Sequence, residues 1–199
     1  MLRATRFRIA LESIPARERD GWLDEVLGLD SLAEDGPDLP RGCVPYIPCP
    51  VEILLQMIDA SALDANDVFV DIGAGPGRAT ALVHLLTGAS AIGIEVQAGH
   101  VQDSIEMTRS LGMERVTTVH GDAVAIVRHI PIGTVFFLYC PFSHDRLENV
   151  FDELAAMAVT RPIRICCVHV PPIRRDWLRV ISAPVPGLTV YESLGAITP

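Results

Sequence analysis

The sequence predicts an α/β fold: a doubly wound, mostly parallel seven-strand sheet with a short helical N-terminal extension. Three observations carry that prediction. Short continuous apolar runs alternate with segments whose apolar residues recur every three or four positions, as strands and helices in turn would require. The strand segments are apolar throughout, so helices must cover both faces of the sheet. Turns rich in Gly and Asp follow the strands, at the carboxyl end of the sheet where ligands of such folds bind.

The chain has 199 residues, 49% of them hydrophobic and 21% charged. That suits one domain of ordinary size and excludes a largely disordered chain. The longest uncharged apolar stretch, residues 79–94, contains His84, Thr87, Gly88, Ser90 and Gly93. It falls short of the roughly 20 apolar residues a membrane span needs. Arg6, Arg8 and Glu12 interrupt any apolar leader, so no secretory signal is read.

Cys43, Cys49, Cys140, Cys166 and Cys167 are odd in number, and two are adjacent. They form no disulfide framework and no C-x-x-C, so a reducing, cytoplasmic setting is expected, with no metal site. The net charge is −9, all sixteen basic residues are arginine, and the acid is concentrated in residues 11–40. No basic stripe exists, which argues against a nucleic-acid acceptor.

The elements follow in order. Residues 15–29 place Trp22, Leu23, Val26 and Leu27 at helical spacing behind a proline at the first turn. Residues 30–50 are rich in Pro, Gly and Asp and read as loop. Val51, Leu54, Leu55 and Ile58 form a helical stripe. A buried strand covers 68–70, an apolar helix 79–86 and a second strand 91–94. Val101, Ile105, Met107 and Leu111 mark a helix that Gly112 ends. Residues 116–119 form a third strand, 123–129 a short helix and 134–139 a fourth strand. Ser143 is placed to cap a helix carrying Leu147, Val150, Phe151 and Leu154. The fifth strand covers 163–170, and 178–182 and 188–192 are two more candidates. The expected organisation is an extension over 1–44 and a main domain over 45–199.

Four strand ends carry the chemistry. The first reads Asp71-Ile72-Gly73-Ala74-Gly75-Pro76-Gly77-Arg78. Glycines at alternate positions let a ligand approach the backbone, and the next helix opens with free N–H groups. A dinucleotide site wants G-x-G-x-x-G, but the sixth position here is Arg78. Asp71 would repel a phosphate and suits a ligand that carries a cation. The second end supplies Glu95, 18 residues after Gly77 and near the acidic position that grips ribose hydroxyls in nucleotide sites. The third is His120-Gly121-Asp122-Ala123, where Asp122 either caps a helix, accepts from an exocyclic amine, or does both.

Together these turns resemble the class I, seven-strand, Rossmann-like S-adenosylmethionine-dependent methyltransferases, over roughly residues 45–170. The resemblance implies that the turn from Asp71 through Gly73, Ala74, Gly75 and Gly77 holds the methionine part of S-adenosylmethionine. It implies that Glu95, with Val96, binds the ribose hydroxyls, and that Asp122, with Gly121 and Ala123, reads adenine. Tyr139 closes that set, and S-adenosylhomocysteine would be the product. The fourth strand end, Tyr139-Cys140-Pro141-Phe142, departs from the amine-methylating members. Those carry Asn or Asp where Tyr139 stands and a proline where Cys140 stands. The run Pro45-Tyr46-Ile47-Pro48-Cys49-Pro50 resembles a segment that lies over the methyl end of the cofactor in non-SET lysine methyltransferases and their bacterial relatives, and is otherwise a rigid connector.

The expected function is transfer of a methyl group from S-adenosylmethionine to a protein side chain or small molecule. Tyr46, Tyr139 and Phe142 are the acceptor-pocket candidates, and the sequence names no catalytic base. His144 and His169 read as structural or surface residues. The competing readings are a non-catalytic cofactor-binding module of the same fold and a dinucleotide-dependent oxidoreductase.

Overall fold

The structure, a computed structural model, describes residues 2–29, 35–36, 39–140, 142 and 144–195. Ser143, expected to cap a helix, and Pro141 lie outside them. Among the described residues are seven helices: α1 (Leu2–Ser13), α2 (Arg19–Leu27), α3 (Val51–Ala60), α4 (Arg78–Thr87), α5 (Ala98–Ser110), α6 (Ala123–Ile126) and α7 (His144–Ala158). The strands are β1 (Val68–Ile72), β2 (Ser90–Glu95), β3 (Val116–His120), β4 (Val135–Tyr139), β5 (Arg164–Val168), β6 (Leu178–Ser182) and β7 (Leu188–Ser193).

They form one sheet in the order β3-β2-β1-β4-β5-β7-β6. The first five strands are parallel, and β7 runs antiparallel between β5 and β6. The order reverses between β1 and β4, so a crevice opens beyond their carboxyl ends. Each strand sends alternate side chains to opposite faces. Phe69 and Phe137 join the α1–α4 face, whereas Val70, Phe136 and Leu138 join the α6–α7 face. The adjacent Cys166 and Cys167 divide the same way, one to each core. Burial pushes the Cys166 thiol up to about 12, so these cysteines are packing groups.

No element was expected over residues 2–13, yet α1 forms there and packs along α4. Its Leu11 is fully buried, as is Leu23 of α2. Residues 2–29 therefore share the core of the main sheet. Gly28, at φ 68°, ends α2. The amino end of α3 follows Pro50 and is capped from a distance: the Asp20 carboxylate accepts from the Val51 N–H at 2.9 Å. Gly93 on β2 is required by close packing, because a Cβ there would stand 2.7 Å from that of Ala74. This lets the glycine turn fold back so that the N–H groups of Gly73 and Ala74 both donate to the Ile94 carbonyl at 3.0 Å.

Candidate active site

The crevice is a cleft of about 900 Å³, including its open mouth. Its walls hold Gly73, Glu95, Val96, Gly121, Asp122, Ala123 and Tyr139, seven of the residues expected to hold a cofactor. Tyr46 and Phe142, two of the three acceptor-pocket candidates, line it beside Tyr139, the third. Asp71 and Ala74 line a smaller adjoining pocket with Tyr46, Gly73, Arg78 and Tyr139. Gly75 and Gly77 line neither. The Tyr46 ring lies where a Gly75 Cβ would be, within 2.2 Å, and Ser104 stands 2.5 Å from that of Gly77. Both glycines have positive φ, 54° and 85°, so their part is to shape the turn.

Glu95 locks that turn to the end of β2. One carboxylate oxygen accepts from the Gly75 N–H at 2.8 Å and the other from the Gln97 N–H at 2.7 Å. Glu95 lines the cleft and each of its oxygens keeps a further lone pair, so the acid has acceptor capacity beyond the turn it holds. Asp71 is buried behind it, and burial, reinforced by the negative Glu95, pushes its carboxyl up to about 8. Its folded value lies above the unfolded 3.8, so the folded state holds the extra proton. The associated stability is fully present below about pH 4 and is lost as pH rises through about 8. Asp71→Asn removes this dependence: thermal midpoints measured against pH will match the wild type in acid and exceed it at pH 9.

Asp122 both caps and pairs. It accepts from the Val124 N–H at 3.0 Å, opening α6, and forms an ion pair with Arg146 of α7. Arg146 also lies 5.5 Å over the Phe142 ring. Its Nε is buried and has no hydrogen-bond partner, as has the Tyr46 hydroxyl. Buried polar atoms without partners are rare, and both of these residues line the cleft. Sequence reasoning did not single out Arg146, because nothing local connects residue 146 with residue 122.

The proline-rich segment closes one side. The Tyr46 N–H donates to Asp35 at 3.1 Å, and Asp35 also accepts from Gln97 at 2.6 Å. The Tyr46 ring stacks 5.3 Å from His100 of α5. A backbone bridge joins Cys43 to Phe142, so the segment meets the fourth turn. Arg78, which breaks the dinucleotide spacing, is 3% exposed and bonds Asp24, Asp20 and the Cys49 carbonyl. It ties α2, the proline-rich segment and α4 together.

Strand ends β4 and β5 form the remaining wall. Cys140 and His169, directly after them, have left-handed φ of 44° and 51°. Such backbone conformations in non-glycine residues gather at functional sites. The His169 ring lies 5.9 Å from that of Tyr139 and lines the cleft. A histidine expected to be structural or on the surface is therefore exposed at the rim of the site. Among the described residues no cluster of His, Cys, Asp or Glu is fit to hold a metal ion.

Residues 44–130 match the sequence model of the protein-L-isoaspartate(D-aspartate) O-methyltransferase family. The match runs from the proline-rich segment past α6 and covers less than half of the chain. No curated protein matches the chain. Among solved structures, an RNA methyltransferase from Salinibacter ruber in complex with S-adenosyl-L-homocysteine is 22% identical, with a TM-score of 0.56. The similarity covers 77% of this chain and 97% of that one. A putative methyltransferase from Escherichia coli is 18% identical, with a TM-score of 0.61, over 79% of this chain and 92% of the other. One from Streptococcus mutans, also with S-adenosylhomocysteine, is 16% identical with a TM-score of 0.53, over 75% and 100%. The strand order, the turns that meet in the cleft and these likenesses agree: the chain has the class I, seven-strand fold of the S-adenosylmethionine-dependent methyltransferases.

Proposed function

We propose that the protein transfers a methyl group from S-adenosylmethionine to a protein side chain or a small molecule. One observation carries the reading: Gly73, Glu95 and Asp122, from three separate strand ends, line one cleft together with Tyr46, Tyr139 and Phe142. The donor set suits the cofactor. Glu95 offers acceptors to the ribose hydroxyls, and Asp122 keeps one carboxylate oxygen for the adenine amino group. Asp71 and Tyr46 line the adjoining pocket, where the methionine part of the cofactor would sit. When bound, the cofactor supplies an already activated methyl group. The protein's part is to orient the acceptor and exclude water. Tyr46, Tyr139 and Phe142 do this in the proposed arrangement.

The matching family is named for methyl transfer to isoaspartate in proteins, a carboxylate acceptor. The cleft's cation, Arg146, is already paired with Asp122, which weighs against a carboxylate. An RNA acceptor is suggested by the Salinibacter relative, and the net charge of −9 weighs against it by repulsion. No helix among the described residues is long and apolar enough to cross a membrane.

Changing Tyr46, Tyr139 or Phe142 to Ala will lower turnover by about tenfold or more, a larger loss than the one in cofactor affinity. Transfer of labelled methyl groups to fractionated cell extract, with calorimetry alongside, checks this. Unchanged turnover in all three variants contradicts the proposed acceptor pocket. Label in the RNA fraction alone favours the competing acceptor.

A further inference from the structure

The geometry points to His169 as a general base for an acceptor that must lose a proton: an uncharged hydroxyl carried on a flat, apolar small molecule. This rests on the methyltransferase reading and names the acceptor class for the same cleft.

The acceptor end of the cleft is assigned to Tyr139, Cys140, Phe142 and His169, with Val44 and Ile47 in the same lining. None of these residues carries a carboxylate or a guanidinium. The charges in the cleft lining are the Arg146–Asp122 pair and Glu95, which accepts from two backbone N–H groups, and Asp71 lies buried in the adjoining pocket. A charged acceptor group seated among these residues would lose its hydration with no opposite charge beside it. A flat apolar group instead finds aromatic faces.

The His169 imidazole is positioned by its surroundings. Tyr139 packs on one side at 5.9 Å, with an interplanar angle of 51°. On the other, Gly187 leaves room that no other residue would: a Cβ there would stand 2.8 Å from both Cε1 and Nδ1 of the ring. The Nδ1–Cε1 edge therefore faces Gly187, which leaves Nε2 as the ring nitrogen turned away from that backbone. The backbone holds this placement through the His169 N–H, which donates to the Gly187 carbonyl at 2.8 Å. The register that pairs Tyr139 with Val168 fixes the two rings as neighbours.

An imidazole at neutral pH is fit to take a proton from a weakly acidic hydroxyl. The acceptor oxygen forms its bond to the methyl carbon as that carbon's bond to the sulfonium breaks, and the broken bond's electron pair stays on sulfur. The acceptor's proton passes to His169 Nε2 and from there to solvent, which the exposed ring reaches. Titratable groups that share the cleft with the ring are Tyr46, Tyr139, Cys140, Cys43, Glu95 and the Asp122–Arg146 pair. Gly187, directly before β7, packs against the ring.

The test uses the full chain, S-adenosylhomocysteine and 4-nitrophenol, whose phenolate is coloured. At a pH just below the probe's own pKa, the wild-type complex will raise the phenolate absorbance. His169→Gln will not, although it binds S-adenosylhomocysteine within about twofold of wild type. With S-adenosylmethionine, transfer to the phenol will fall about 100-fold in His169→Gln, and the ascending limb of the pH–rate profile will vanish. A primary amine and a single-stranded RNA oligomer will accept no methyl. The inference is overturned if His169→Gln keeps its rate and pH profile, if the amine or RNA is preferred, or if the phenol neither binds nor reacts while S-adenosylhomocysteine binds. If S-adenosylhomocysteine itself fails to bind the folded wild type, the methyltransferase reading fails instead.

Discussion

Glu95→Ala will weaken S-adenosylmethionine binding by about 100-fold or more, the largest loss expected from any cleft substitution. Two effects combine. A carboxylate that accepts from two hydroxyls makes charge-assisted bonds, each worth roughly 1.5–3 kcal/mol. Its removal also strips the Gly75 and Gln97 N–H groups of their acceptors at 2.8 and 2.7 Å. The glycine turn keeps the bonds of Gly73 and Ala74 to Ile94 and of Gly77 to Ala74, but Gly75 loses its tie to β2 and the geometry loosens where the ligand must pack. Glu95→Gln retains one acceptor oxygen and will recover part of the affinity. Calorimetric titration of both variants reads the outcome. An Ala variant that binds within threefold of wild type, roughly 0.6 kcal/mol, contradicts this role for Glu95.

Arg78→Ala will destabilise the fold by about 3 kcal/mol, read from urea unfolding midpoints. The guanidinium is 3% exposed and reaches Asp24 at 2.5 Å, Asp20 at 2.8 Å and the Cys49 carbonyl at 2.6 Å. Removing it leaves a buried carbonyl without a donor and two carboxylates side by side. Asp20 and Asp24 are 49% and 34% exposed and regain water, which holds the loss to the lower part of the range for broken buried pairs. Asp20 also caps α3 through Val51, so the damage spreads to the entry of that helix. Arg78→Lys recovers only a fraction, because an ammonium cannot span three acceptors in a fixed plane. A loss under about 1 kcal/mol would show that the extension is held by its apolar contacts instead.

The parts legible in the sequence were those set by neighbouring residues. β1, β2, β4 and β5 were readable because parallel strands buried on both faces are largely continuous apolar runs, and the edge strand β3 was readable from its β-branched Val and Thr residues. The turn after β1 was readable because its glycines and Asp71 lie in one short stretch. α1 was not. Of its described side chains only Leu11 is buried, and its place against α4 is a contact about seventy residues away. Arg78 looked like a flaw in a glycine pattern, since its partners lie 54 and 58 residues upstream. His169 is another such case. Nothing beside it in sequence marks it, and only the pairing of β4 with β5 sets it against Tyr139. Arg146 likewise meets Asp122 only through the packing of α7 against α6.

Calorimetric titration of the full chain with S-adenosylmethionine and S-adenosylhomocysteine tests the central claim most directly. The account predicts one site per chain with affinity in roughly the micromolar range for both ligands. A well-folded sample that takes up neither would contradict it, and would leave this cleft with the fold of a methyltransferase but not its chemistry.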